Sequence, residues 1–395
     1  MAFLSGWTYR KRVSLSRASG AITNYQLKLL VGESSGASGE DVDCGGLCAS
    51  DFDDLRFTTA DGSTLLPYWI EEVTGATPNQ LATIWINFDS IGTSATYFYM
   101  YYGNASAEVA SSGVDTFIKF EDFEWGADGD DIDTNGGSII WSKTVAGSST
   151  AKIDTGQKYG GSRSLELYRD GTNSPTAICT IVAASDDISI RVRLRKDETS
   201  SITIAHGNGT YLLGYRADQS ENILIYDGAT YIDTGANATK DVWELHELNN
   251  FIWAGPTVDA YLNDGQIADN ADMGWINNSI NGRISFAIYQ GTSSVWIDNV
   301  IVRNWRATEP AWGSWGTQEE HCISSVAIGL VNTNNRDVNI LRSSSVTIGL
   351  KLTNILTRWV TSKVTIGLSL TQSKLITMSR TSVTPLGLVV SATKL

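Results

Sequence analysis

The sequence predicts an all-β protein: an N-terminal β-sandwich, a central two-sheet jelly roll and a C-terminal segment of β-strand repeats. Three observations point there. The chain of 395 residues is rich in Trp (13), Tyr (15) and Gly (37) and poor in Pro (6), and aromatic side chains fit a pleated surface while Gly supplies turns. Apolar residues alternate with polar ones at period two in run after run, the signature of half-buried strands. Turn signals fall every ~10–15 residues through the middle of the chain, as in two-sheet folds.

Residues 1–113 form the first unit. Trp7-Thr-Tyr-Arg-Lys-Arg-Val-Ser-Leu15 and Tyr25-Gln-Leu-Lys-Leu-Leu-Val31 alternate in the period-two manner of a strand. Residues 32–50 are rich in Gly, Ser and acids and read as a long loop holding Cys44 and Cys48. Asp61-Gly62 between Asp54-Leu-Arg-Phe-Thr58 and Leu65-Leu-Pro-Tyr-Trp-Ile70 is a hairpin signal. Ala82–Phe88 and Ala95–Tyr102 are the closing strands.

Residues 114–312 form the central unit. Its opening run, Phe117–Glu124, and its closing run, Val295–Arg303, both read as strands and are expected to meet. Between them lie strand-like runs such as Ile188-Ser-Ile-Arg-Val-Arg-Leu194, Tyr211-Leu-Leu-Gly-Tyr215, Asn222-Ile-Leu-Ile-Tyr226 and Arg283-Ile-Ser-Phe-Ala-Ile288. Pro310 and the glycines at 313 and 316 then make residues 313–322 a linker.

Residues 323–395 repeat: Ser325-Val-Ala-Ile-Gly-Leu, Ser345-Val-Thr-Ile-Gly-Leu, Lys363-Val-Thr-Ile-Gly-Leu and Ser382-Val-Thr-Pro-Leu-Gly-Leu recur with a period near 20. Two strands per repeat cannot bury their apolar face alone, so the array is expected to stack, on itself or on copies from other chains. Open strand edges make a homo-oligomer the natural outcome, against a closed small β-domain as the alternative.

Charge is uneven. The net charge is −14, yet the segment from Ile323 to Leu395 holds eight basic residues against one acid, a net +7 that leaves −21 for what precedes it. So acidic a body argues against nucleic acid as a partner of the front units. No run of ~20 apolar residues suits a membrane span. Met1–Lys11 lacks the basic start and apolar run of a secretory signal, which suits either a mature form or a protein made in a cytoplasm that leaves by lysis or assembly.

Five blocks in order carry a resemblance: Trp7-Thr-Tyr-Arg-Lys11, Thr23-Asn-Tyr-Gln26, Asp53-Asp-Leu-Arg-Phe-Thr58, Leu66-Pro-Tyr-Trp-Ile-Glu71 and Tyr99-Met-Tyr-Tyr-Gly-Asn104. Together they resemble domain of unknown function 2341. That resemblance implies a module of secreted, cell-surface and viral proteins, often placed before a concanavalin-like jelly roll, and brings no reaction. The central unit looks like the concanavalin-like and laminin-G-like superfamily through Tyr159-Gly-Gly-Ser-Arg-Ser-Leu165, Ala260-Tyr-Leu-Asn-Asp-Gly265 and Trp296-Ile-Asp-Asn-Val300. Resemblance to jelly rolls also implies a structural calcium held by acids of the first strand and an Asp of the last, here Glu121, Asp122, Glu124 and Asp298; calcium wants six to eight oxygens. Solvated acid loops are the competing reading.

Sugar binding needs exposed aromatic platforms with amide and carboxylate neighbours. Tyr211, Tyr215, Tyr226, Tyr231, Trp253, Trp275 and Tyr289 are the candidate platforms, with Asn222, Asn263 and Asp264 beside them. Trp253 and Trp275 fall in loop-like settings, which favours exposure, and core positions are the alternative for each. Glycosidase chemistry needs two carboxylates flanking the bond. Glu71 and Glu72 are adjacent and should point to opposite faces of a strand, and Glu244-Leu-His-Glu247 lacks the spacing. No catalytic residue is assigned. Cys44 and Cys48 allow a local disulfide, two free thiols or half a metal site; only three His accompany them. These readings converge on a virion surface protein (a fibre, spike or decoration subunit) with a glycan-binding jelly roll. A prokaryotic cell-surface adhesin is the alternative, and a glycoside hydrolase relative the distant one.

Overall fold

A computed structural model describes residues 3–17, 19–36, 39–134, 136–180, 187–197, 200–208, 210, 212–274 and 281–321. The chain divides into two compact units, Met1–Ser325 and Val326–Leu395. The expected repeats and their assembly lie outside the described residues.

The first unit is all β and holds two sandwiches. In the first, a six-stranded sheet runs in the order Ala311–Trp312, Tyr9–Ser16, Thr96–Tyr102, Arg56–Thr58, Leu65–Leu66, with Glu319–Glu320 also on Tyr9–Ser16. Facing it is a four-stranded sheet: Val42–Asp43, Ile22–Gly32, Leu81–Ile91, Tyr68–Thr74. The inward positions fill one core with Val13, Leu15, Leu27, Leu29, Phe57, Ile84, Ile86, Phe98 and Met100. Asp61 makes the hairpin as expected. Its Oδ1 accepts from the Ser63 and Thr64 backbone N–H groups at 2.7 and 2.8 Å, and Phe57 pairs with Leu66.

The second sandwich has a seven-stranded sheet in the order Trp141–Thr144, Thr176–Thr180, Asn281–Ile288, Ile202–Asn208, Leu212–Ala217, Asn222–Tyr226, Tyr231–Asn237. Its partner sheet runs Thr150–Asp154, Ser164–Asp170, Thr292–Asn304, Ile188–Lys196, Glu244–Ile252, Thr257–Leu262, Gly265–Asp272. The opening strand Lys119–Glu121 pairs with the closing strand Thr292–Asn304, Glu121 opposite Val300, so the two ends of the unit meet as the sequence implies.

Two expectations are corrected. Residues 313–322 are not a linker. The segment runs back along Tyr9–Ser16, with Trp312 opposite Leu15 and Glu320 opposite Tyr9. Gly313, Gly316 and His321 donate to the Ser14, Arg12 and Thr8 carbonyls at 2.8, 2.7 and 2.7 Å. The glycines that look like strand breakers are what permit this approach, since a Cβ at Gly313 would strike Ser14. The first sandwich is therefore closed by residues that follow the second. The other correction concerns Glu71 and Glu72. A bulge skips Glu71, Ile70 facing Ile84 and Glu72 facing Thr83. A bulged residue breaks the alternation of sides, and Arg193 reaches both carboxylates, at 3.2 and 3.9 Å.

The sandwiches are joined by an apolar cluster and a buried ionic lattice. Trp69, Trp85, Phe117, Phe120 and Ile301 form the cluster. Beside it Arg191 pairs with Glu247 at 2.6 Å, with Glu71 at 3.3 Å and with Asp264 at 3.3 Å, while Arg303 pairs with Glu247 at 3.2 Å and Glu309 at 2.9 Å. Both guanidiniums lie over the Trp85 ring, at 5.0 and 5.1 Å. Burial opposes the charge of Glu247, yet Arg191 and Arg303 outweigh it and hold the carboxyl down at about 2.

Candidate functional site

The outer face of the seven-stranded sheet carries the candidate site. Strand alternation builds it. Ile202, Ile204, Leu213, Tyr215, Ala217, Ile223, Ile225, Ile284, Phe286 and Ile288 point into the core, which sends Thr203, Ala205, Gly214, Arg216, Leu224, Tyr226, Ser285 and Ala287 to the other side. Register then sets the neighbours: Thr203 lies between Ala287 and Arg216, and Ala205 between Ser285 and Gly214. The middle of this face is thus floored by small residues.

Tyrosines rim the floor. The turn between the last two strands is fixed by Asp227, whose Oδ1 accepts from the Ala229 and Thr230 N–H groups at 2.7 Å each. That turn sets Tyr226 opposite Tyr231. Their rings meet edge to face, centroids 5.1 Å apart. Gly214 makes room beneath, for a Cβ there would lie 3.0 Å from Tyr226 Cβ and 3.5 Å from the Tyr231 hydroxyl. The Arg216 guanidinium sits 4.1 Å from the Tyr231 ring centroid, and its Nε donates to Thr203 Oγ1 at 3.3 Å. Tyr289, 50 % exposed, follows Ile288 at the margin. Burial pushes the Tyr231 phenol up against the pull of Arg216, with the phenols of Tyr289 and Tyr226 adding to the rise. The arrangement offers faces that stack and groups that donate hydrogen bonds.

Of the sequence candidates, Tyr226, Tyr231 and Tyr289 meet here; Tyr211 and Trp275 lie outside the described residues. Asn222 stands on the same strand as Tyr226 and bonds to Asp218, its N–H donating at 2.9 Å. Four other expected sugar contacts are corrected. Tyr215 is core, its hydroxyl 2.7 Å from His246 Nδ1. Trp253 is 7 % exposed and stacked on Phe251, centroids 5.5 Å apart, because residues two apart share a strand face. Asn263 and Asp264 form a turn on the opposite sheet. Asn263 Oδ1 accepts from Leu245 N at 2.9 Å, and Asp264 belongs to the ionic lattice through Arg191 and Lys28. Arg216 and Thr203 were missed. Their only sequence signal is the outward parity of their strands, since their partner Tyr231 comes from two strands further on.

The calcium set is also corrected. Glu121 accepts from the Phe123 and Ile139 N–H groups at 3.1 Å each and from Trp125 Nε1 at 3.2 Å. Glu124 accepts from the Ser162 and Arg163 N–H groups at 2.6 and 2.9 Å, and Asp298 from those of Tyr159 and Gly160 at 2.9 and 3.2 Å. N–H donors thus occupy the lone pairs a cation would need. Burial first, with Asp122 adding its charge, lifts the Asp298 carboxyl to about 7, and burial also raises Asp122. Among the described residues no group of three or more His, Cys, Asp or Glu is placed to hold a metal ion, so the residues present do not fit calcium.

Of the readings open for Cys44 and Cys48, the structure has two free thiols and not the disulfide. Burial, then a hydrogen bond to Cys48, raises the Cys44 thiol. Of the acids weighed for catalysis, Glu247 is locked between Arg191 and Arg303, and Glu244 accepts from Thr239 N at 2.9 Å. His246 is held near 3, chiefly by burial, with Arg193 adding. Away from this face, a concavity of about 330 Å³ is lined by Arg56, Leu66, Tyr68 and Asp115. Arg56 already donates to the Asp53, Leu55 and Glu108 carbonyls and to the Tyr68 hydroxyl, so the protein's own acceptors hold it in place.

Among solved structures, the chain is similar to a carbohydrate esterase from Shiga toxin-encoding bacteriophage phi24B, at 13 % identity and a TM-score of 0.33 over 42 % of this chain and 90 % of that one. An endo-β-1,4-glucuronan lyase from Trichoderma reesei matches at 12 % identity and 0.33 over 48 % and 95 %. A CBM22-1 xylan-binding domain from Paenibacillus barcinonensis matches at 14 % and 0.25 over 49 % and 96 %. No curated protein matches. Helices long and apolar enough to cross a membrane are absent among the described residues. One family matches: residues 51–144 are similar to the domain of unknown function DUF2341, a span that begins in the first sandwich and ends on the first strand of the second sandwich's seven-stranded sheet.

Proposed function

We propose that this chain is a glycan-binding surface protein, and that the tyrosine-rimmed face of the seven-stranded sheet is where the saccharide lies. The observation that supports this is the juxtaposition of Tyr226, Tyr231 and Tyr289 around a floor of Gly214, Ala205, Ala287 and Ser285. A pyranose ring presents an apolar face that stacks on an aromatic ring, and its hydroxyls need donors and acceptors at the margin. Tyr231→Ala tests it. Binding on a glycan array and by calorimetry should fall about tenfold or more, while the unfolding midpoint moves little, because the ring lies outside the core. Unchanged binding would move the site elsewhere. Binding without turnover is part of the reading; release of reducing ends or acyl groups from a bound saccharide would remove it.

The surface we propose is that of a virion, with residues 323–395 assembling copies of the chain and the acidic body displayed outward. Its support is the repeat of period near 20 and the charge contrast between body and tail. Truncation after His321, which keeps the closing strand intact, should lower the mass in solution to that of one body. A full-length chain of monomer mass would refute assembly through the tail.

A further inference from the structure

Resting on that reading, we infer that the saccharide is acidic, its carboxylate or sulfate taken by Arg216. The observation is an arginine without a counter-charge. Four other arginines over aromatic rings are joined to carboxylates: Arg191 and Arg303 over Trp85 to Glu71, Glu247 and Glu309, Arg193 over Tyr159 to Glu71, and Arg195 over Trp296 to Asp241. Arg12 over Tyr97 and Arg56 over Trp7 are, like Arg216, without an ion pair among the described residues, but neither lies on the tyrosine-rimmed face. Arg216 lies over Tyr231, half-buried, with only Nε engaged, on Thr203. It has no ion pair among the described residues. The carboxylate that register brings to its rung is Asp233, beyond Leu224, and that group accepts from Gly235 N at 2.8 Å in its own turn.

The omission is informative because acids are plentiful: the first 322 residues carry a net −21. The face also carries a second outward arginine, the exposed Arg283, two positions before Ser285 on the next strand but one. A planar guanidinium held flat by a ring and a hydroxyl presents its two terminal nitrogens to an anion with little further ordering. A neutral sugar would leave that charge unanswered. An acidic one would answer it while its ring rests on Tyr226 or Tyr289. The body's overall repulsion of polyanions acts at long range and is screened within about 8 Å at physiological salt, so a preference for acid must arise from contact.

The test is calorimetry on the full chain with tetragalacturonate and with its fully methyl-esterified form, which keeps the rings and removes the charge. A sulfated and an unsulfated galactan oligosaccharide form a second pair. The expected result is about tenfold or tighter binding of the charged member of one pair, the pair identifying carboxylate or sulfate. Arg216→Gln should abolish that preference, so that the charged and neutral members of the pair bind the variant equally. Equal affinity within both pairs, or a preference that survives Arg216→Gln, overturns the inference and leaves glycan binding standing. Failure to bind any member of either pair or of a broad neutral panel sinks the glycan reading itself.

Discussion

The seam between the two sandwiches and the outer face of the seven-stranded sheet use the same pair of side chains for opposite ends. Both set arginine over an aromatic ring. At the seam Arg191 and Arg303 are buried and ion-paired with Glu71, Glu247 and Glu309, so the aromatic is one wall of a charge-balanced lattice. On the face Arg216 has a ring and one hydroxyl, and no ion pair among the described residues. An arginine–aromatic pair is therefore structural or available according to its anions, and burial alone does not decide it.

The largest expected effect breaks the seam. Glu247→Ala leaves Arg191 and Arg303 short of their shared anion inside protein, and removing one partner of a buried pair costs about 3–5 kcal/mol. Urea unfolding should show that loss, while saccharide affinity per folded molecule stays constant. A loss below about 1 kcal/mol would mean that the lattice is not what joins the sandwiches. Smaller is the acid response of the core beneath the face. Burial depresses His206 to about 4 against an ordinary value near 6.5. The folded protein holds this ring neutral, whereas the unfolded chain protonates it near 6.5. Its contribution is thus complete above that pH and is lost as pH falls towards 4, at about 1.4 kcal/mol per unit. Between pH 7 and 5 the native chain should lose about 2 kcal/mol more than His206→Phe; parallel curves would refute it. The smallest effect sharpens the comparison within the seam. Asp264 also touches Arg191, but its side chain is 56 % exposed, so Asp264→Asn should cost less than about 1 kcal/mol in the same urea assay.

The sequence made the strands legible because both sandwiches keep one wet side, and period-two alternation survives wherever that holds. Val13, Leu15, Phe98 and Met100 show it plainly. The pairing of Lys119–Glu121 with Thr292–Asn304 was legible too, from matched apolar runs at the ends of a unit. The closing strand at residues 311–320 was not, because it pairs over a few residues and relies on glycines that read as interruptions. Nor was the bulge at Glu71, which local sequence does not mark. At the candidate site the tyrosines were visible as residue types, but which of them face outward depends on parity within each strand. That parity places Tyr226 on the rim and Tyr215 in the core. Trp253 misled because the Gly255-Pro256 that follows suggests a loop, while its ring still falls on the inner side with Phe251.

The return of the chain to its first strand has a mechanical consequence. Thr8 and His321 are bonded neighbours, and the whole second sandwich is looped out between them. Tension applied at these two points would meet antiparallel rungs one after another, Tyr9 with Glu320 and then Arg10 with Glu319, and peel them like a zipper. The looped-out sandwich would carry none of that load until the seam gave way, so the second sandwich is insulated from pulling on the ends of the first.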